Sequence, residues 1–95
     1  MAEESEIPLK AQLIFKLVRR RQWGGKHSAI EDLKKGFPPN AHNEIQSIAE
    51  ELIRENFFLV KKAFYGTHIS LNPKKSKEIK ELLIKHYREI AKPYL

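Results

Sequence analysis

Apolar positions along the chain recur at the helical period in three stretches and switch to strand-like runs in a fourth. Between Pro8 and Arg21, Leu9, Leu13, Ile14, Leu17 and Val18 form a wide apolar arc, which predicts a first amphipathic helix. Pro8 suits the first helical position, because its missing N–H would have no partner there in any case. Three glutamates precede the segment and Arg19, Arg20 and Arg21 close it, the order a helix dipole favours. Trp23-Gly24-Gly25 then breaks the pattern.

A short second helix is expected from Ala29 to Lys35, with Ser28 and Glu31 spaced as a capping box and Gly36 as the left-handed exit. Phe37 is expected to plug the core ahead of a stiff Pro38-Pro39-Asn40 turn. A third helix follows from about Ala41 to Glu55, capped by Asn40. Its Ile45, Ile48, Ala49, Leu52 and Ile53 keep the i, i+3, i+4, i+7, i+8 spacing closely. Asn56 falls where a left-handed terminating residue belongs.

The period then changes. Phe57 to Ala63 and Thr67 to Leu71 are rich in aromatic and β-branched residues, and predict a β-hairpin with a loop of three to five residues. Ile69 and Leu71 alternate with His68 and Ser70, so one face should be buried. Asn72-Pro73 opens a last helix, running to about Ala91 and ended by Pro93. Ile79, Leu82, Leu83, Tyr87 and Ile90 share one face of it, and Ile84 lies outside that arc.

The order is helix, break, short helix, turn, helix, hairpin, helix. A short helix joined by a tight turn to an amphipathic one is a helix-turn-helix arrangement. A hairpin directly after it would be a wing, and Lys26-His27-Ser28 would be a short first strand pairing with that hairpin. The expected class is mainly α with a small β-hairpin (α+β): four helices and three strands in a single domain over residues 1–95, with 1–6 a flexible lead-in.

The sequence resembles the winged-helix superfamily and, more narrowly, small uncharacterised archaeal proteins built on that fold. The narrower resemblance is carried by Arg20-Arg21-Gln22-Trp23-Gly24-Gly25-Lys26-His27, by Lys35-Gly36-Phe37-Pro38, and by Tyr65-Gly66-Thr67-His68-Ile69-Ser70-Leu71-Asn72-Pro73. It spans about residues 8–90. These strings mark fold and family rather than a reaction. The superfamily resemblance implies nucleic-acid binding for many members and protein contacts for others.

Composition sharpens this. The chain has 95 residues, of which 41% are hydrophobic and 32% charged, enough apolar material for one core. It has no cysteine, which excludes disulfides, a thiolate nucleophile and Cys-based metal sites. No apolar run approaches the roughly 20 residues of a membrane span. The acidic start, Met1 to Glu6, is the opposite of a secretory signal, so a soluble cytoplasmic protein is expected. The net charge is +6, which points to polyanionic partners. Residues 1–56 carry nine Lys/Arg and nine Asp/Glu; residues 57–95 carry nine and three, so the entire excess is C-terminal.

Chemistry-bearing motifs are sparse. His27, His42, His68 and His86 lack metal-ligand spacing, so no metal or other cofactor is expected. His86 falls within the apolar arc of its helix and reads as a core or interface histidine. Trp23-Gly24-Gly25-Lys26 lacks the spacing of a P-loop, and no nucleophile elbow or dinucleotide loop is present, so catalysis is not expected.

The favoured function is binding of double-stranded DNA, as a small transcriptional regulator or chromatin-associated factor. A recognition helix would present His42, Asn43, Gln46 and Ser47 to base edges. Lys61, Lys62 and Tyr65 on the hairpin, Lys34 and Lys35 before the turn, and Lys26 at the entrance to the second helix would hold the phosphate backbone. Against this, Ala41 to Glu55 contains four glutamates and a single arginine, so the third helix supplies few phosphate contacts itself. That acidity sustains the alternative of a protein-interaction module, with Ile84 and Tyr87 as contacts of a homodimer through the last helix.

Overall fold

The computed structural model describes residues 7–63, 66–88 and 93. Three α-helices and a three-stranded antiparallel sheet make an α+β fold: α1 (Leu9–Arg19), β1 (Ser28–Ala29), α2 (His42–Arg54), β2 (Phe58–Ala63), β3 (Gly66–Leu71) and α3 (Ser76–Tyr87). Short 3-10 helices occupy Ile30–Lys34, Pro39–Ala41 and Pro73–Lys75. The expected fourth α-helix is therefore absent. The six residues between β1 and the left-handed Gly36 (φ 89°) form a five-residue 3-10 helix and its exit instead.

α1 buries Ala11, Leu13, Ile14, Phe15, Leu17 and Val18, a broader arc than its spacing predicts. Phe15 extends the arc by packing on Tyr87, with ring centroids 4.3 Å apart. The helix stops before the expected glycines. Arg21 turns left-handed (φ 55°), and the Arg21 and Gln22 amides donate back to the Val18 and Leu17 carbonyls.

The capping box at Ser28 is not formed. Ser28 and Ala29 are strand residues, the 3-10 helix has no side-chain cap, and the buried Ser28 Oγ has no hydrogen-bond partner among the described residues. Pairing with β3 took the residue the cap would have used. Asn40 is likewise not an N-cap, because it lies within the Pro39–Ala41 turn and α2 begins after it without a side-chain cap. Two other expectations hold: Asn56 ends α2 at φ 67°, and the Asn72 side chain accepts from the Lys74 amide ahead of α3.

The strand order is β1-β3-β2, with Ser28 opposite Ile69, Ala29 opposite His68, and Phe58 to Ala63 opposite Leu71 to Gly66. The hairpin strands approach to Ala63 and Gly66, so only two residues separate them rather than three to five. Leu71 anchors a further layer. Its amide donates to the Gln22 carbonyl at 2.8 Å, and its carbonyl accepts from Gly24 N–H at 2.9 Å. This backbone clamp joins the end of the hairpin to the segment between α1 and β1.

The core lies where the helices meet the sheet. Ile45, Ala49 and Leu52 of α2 close against Leu13, Ile14 and Leu17 of α1, Phe58, Ile69 and Leu71 of the sheet, and Ile79 and Leu83 of α3. Each large aliphatic side chain removed from water there contributes on the order of 2 kcal/mol. Phe37 is half-buried against this cluster. α3 ends at Tyr87 rather than near Ala91, and residues 89–92 lie outside the described residues. Among the described residues no helix is long and apolar enough to cross a membrane.

Candidate nucleic-acid interface

Strand alternation decides where the hairpin lysines go. Lys61 stands opposite His68 and Lys62 opposite Thr67, so successive lysines leave the sheet on opposite faces. Both are exposed, and neither has an ion pair among the described residues. Lys61 shares its face with Leu59, His68 and Ser70; Lys62 shares the other with Val60 and Ile69. Lys26 is exposed just before β1. Tyr65 lies outside the described residues.

The lysines before the turn are already engaged. Lys34 pairs with Glu31 at 3.1 Å and its side chain is only 16% exposed. Lys35 pairs with Asp32 at 3.1 Å but stays solvent-accessible. Both pairs are i,i+3 neighbours on the 3-10 turn, a spacing that meets on a three-residue repeat.

Of the four residues expected to face bases, two are engaged within the fold. The His42 ring donates from Nε2 to the Phe37 carbonyl at 3.1 Å, tying the start of α2 to the preceding turn. Gln46 donates to Glu50 at 2.9 Å. Asn43 and Ser47 are exposed and carry no such bond among the described residues. The exposed surface of α2 also holds Glu44, Glu50, Glu51 and Arg54. On α3, Ile84 is 47% exposed, whereas Tyr87 is turned inward onto Phe15. His86, expected in the core or at an interface, is half-buried.

Two groups gain importance that sequence patterning does not give them. Lys16, midway along α1, donates its ammonium to the carbonyls of Leu33 and Lys35, holding the 3-10 helix and its exit against α1. Burial, then repulsion from Arg20 and Arg19, lowers its pKa below the ordinary lysine value, while Asp32 acts in the opposite direction. The second group is a histidine pair. His27 and His68, 41 positions apart, meet through their Nδ1 atoms at 2.9 Å with the rings edge-on. The pairing of Ala29 with His68 brings them together, and the alternation His68-Ile69-Ser70 is the trace of it in the sequence.

Beside this pair lies a half-open cavity of about 330 Å3, lined by the Gly24-Gly25 turn, His27, Leu59, Val60, Lys61 and Ser70. Ser70 Oγ donates to the Gly24 carbonyl at 2.7 Å and fixes the turn at the cavity wall. The titratable lining groups, His27 and Lys61, both carry or accept positive charge. The described residues hold no cluster of three or more His, Asp or Glu side chains arranged to bind a metal ion.

Comparison with known protein families, characterised proteins and solved structures yields no match. The functional reading therefore rests on the residues and their geometry.

Proposed function

We propose that the chain is a winged-helix domain that binds double-stranded DNA, with the hairpin leading the contact. The observation that carries this reading is the exposed Lys61 and Lys62 on β2, without an ion pair among the described residues, directly after 3-10 turns and helix α2 whose own charges are largely paired or acidic. Lysines without internal partners are the ones available to phosphates, and phosphate contacts supply most sequence-independent affinity. Asn43 and Ser47 are the base-facing candidates that remain unengaged on α2, with Asn able to bond adenine in two places.

Salt dependence tests the reading. Four to six phosphate contacts give a log–log slope of about −4 to −5 for duplex affinity against salt. Replacing both lysines, Lys61→Glu with Lys62→Glu, should reduce the slope by about 1 if one face of the hairpin meets the duplex and by about 2 if both do, and weaken binding to all duplexes alike. No duplex binding even at low salt would overturn the proposal.

A protein partner is the second reading, favoured by the exposed Glu44, Glu50 and Glu51 on α2. In that case charge reversal on α2, not on the hairpin, would abolish complex formation.

A further inference from the structure

We propose that His27, His68 and Lys61 form an oxyanion site for a phosphoryl group, and that filling it takes up a proton. The proposal deepens the DNA reading and rests on it only for the source of the phosphate, which is either a backbone phosphodiester or a free phosphorylated small molecule.

The argument starts from the hydrogen bond itself. Two Nδ1 atoms 2.9 Å apart hold one proton between them: one ring donates and the other accepts. The accepting ring must be bare at that nitrogen. The pair therefore accommodates one imidazolium, and a second would put a proton on both facing nitrogens and break the bond. The pair is thus a two-state element: neutral with one proton between the facing nitrogens, or singly charged with one more proton on the donor ring's Nε2.

Its surroundings favour an anion. Lys61 stands directly across from His68 on the sheet, and Lys26 precedes His27 on the chain. The carboxylates that follow β1, Glu31 and Asp32, are paired with Lys34 and Lys35. β3 contributes no charged residue besides His68. Lys61 thus stands across from the pair on β2, Lys26 is its chain neighbour, and the carboxylates after β1 have their own cations. An oxyanion in the cavity beside His27 and Lys61 would offset that repulsion and favour the protonated pair.

The cavity has the form such a ligand needs. The Gly24-Gly25 turn forms one wall, and its exposed second glycine lets a ligand approach the backbone closely. Because Ser70 spends its hydroxyl proton on the Gly24 carbonyl, it sets the wall's position, and the charged contacts fall to His27 and Lys61. His68, bonded to His27 but not part of the cavity lining, acts as a positioning residue that shares its proton.

The test is a pH series at constant ionic strength, following the imidazole NMR signals of His27 and His68 in the full chain. Sulfate, whose charge is constant over this range, stands in for a free phosphate, and a short duplex presents phosphodiesters. The expected result is movement of both histidine signals on addition of either probe. Affinity should tighten by up to about tenfold per pH unit on acidification, as uptake of one proton requires. Replacing both rings, His27→Gln with His68→Gln, removes every imidazole that could take the proton and should flatten the pH slope, whereas His68→Gln alone leaves His27 able to charge and should keep it.

Sulfate binding with the proton linkage but no duplex binding would uphold the site and overturn the DNA reading. Duplex binding with a flat pH dependence and unmoved histidine signals would overturn the site and leave the DNA reading intact. If neither probe moves the signals, the proposal fails. These wild-type readouts remain decisive if the variants do not fold.

Discussion

At the scale of single residues, a few positions hold local geometry that their neighbours cannot. Asn56 occupies φ 67°, where a β-carbon crowds the following carbonyl and a short polar side chain offsets the cost by bonding locally to the backbone. Asn56→Ala should therefore cost about 1 kcal/mol in denaturant unfolding, and Asn56→Gly should cost little or nothing. Leu52, fully buried one turn earlier, belongs to a different class. Leu52→Ala removes packed volume from the centre of the core and should lower stability by roughly 2–5 kcal/mol.

Lys16 makes a prediction with a sign. Its pKa is lowered in the folded state, so the unfolded chain binds its proton more tightly. Between that lowered value and 10.5, the unfolded state holds more protons, and the stability contributed by this group rises with pH. Below that window the cost of the desolvated charge is present in full. Comparing wild type with Lys16→Met should show the wild type gaining relative stability as pH climbs through the window. A difference independent of pH would show that the amine is not desolvated.

At the scale of elements, the periodic segments were legible and their ends were not. α2 and the hairpin follow from spacing alone, because Ile45, Ala49 and Leu52 must share a face and Ile69 and Leu71 must alternate. The ends failed where two uses of one residue competed. Ser28 suits a cap by type, yet pairing with Ile69 claimed its backbone; Asn40 suits a cap by type, yet two prolines drew it into a turn. Similarly, His42 and Gln46 look like base readers from their helix positions, but partners such as the Phe37 carbonyl come from neighbouring structure that periodicity does not specify. The histidine pair required knowledge of register, which only the folded sheet supplies. Ser70 tests the element scale directly. Ser70→Ala leaves the buried end of β3 intact but removes its bond to the Gly24 carbonyl. A loss of about 1 kcal/mol is expected, together with faster amide exchange confined to residues 23–26.

At the scale of the molecule, the +6 charge is better described by place than by size. The first 56 residues balance, and the lysines of the sheet, without an ion pair among the described residues, stand on β2, facing both ways. A single flat phosphate-binding surface would use only one of the two hairpin lysines. Lys61→Ala and Lys62→Ala should therefore differ in their effect on duplex affinity, and equal losses would mean that the hairpin inserts edge-on. The paired lysines of the 3-10 turn should matter less than either, since each must first release a carboxylate.

The clamp between Leu71 and the Gln22–Gly24 segment has a consequence for synthesis. The middle strand of the sheet is the last to be made, and both β1 and the 22–24 segment depend on it for their hydrogen bonds. A nascent chain that has emerged only as far as α2 has every helix-forming signal of its first half and no strand to close against. Its apolar α1 and α2 faces stay open until residue 71 clears the ribosome, so closure comes late and all at once, and shortened chains ending before β3 should be captured by chaperones rather than fold.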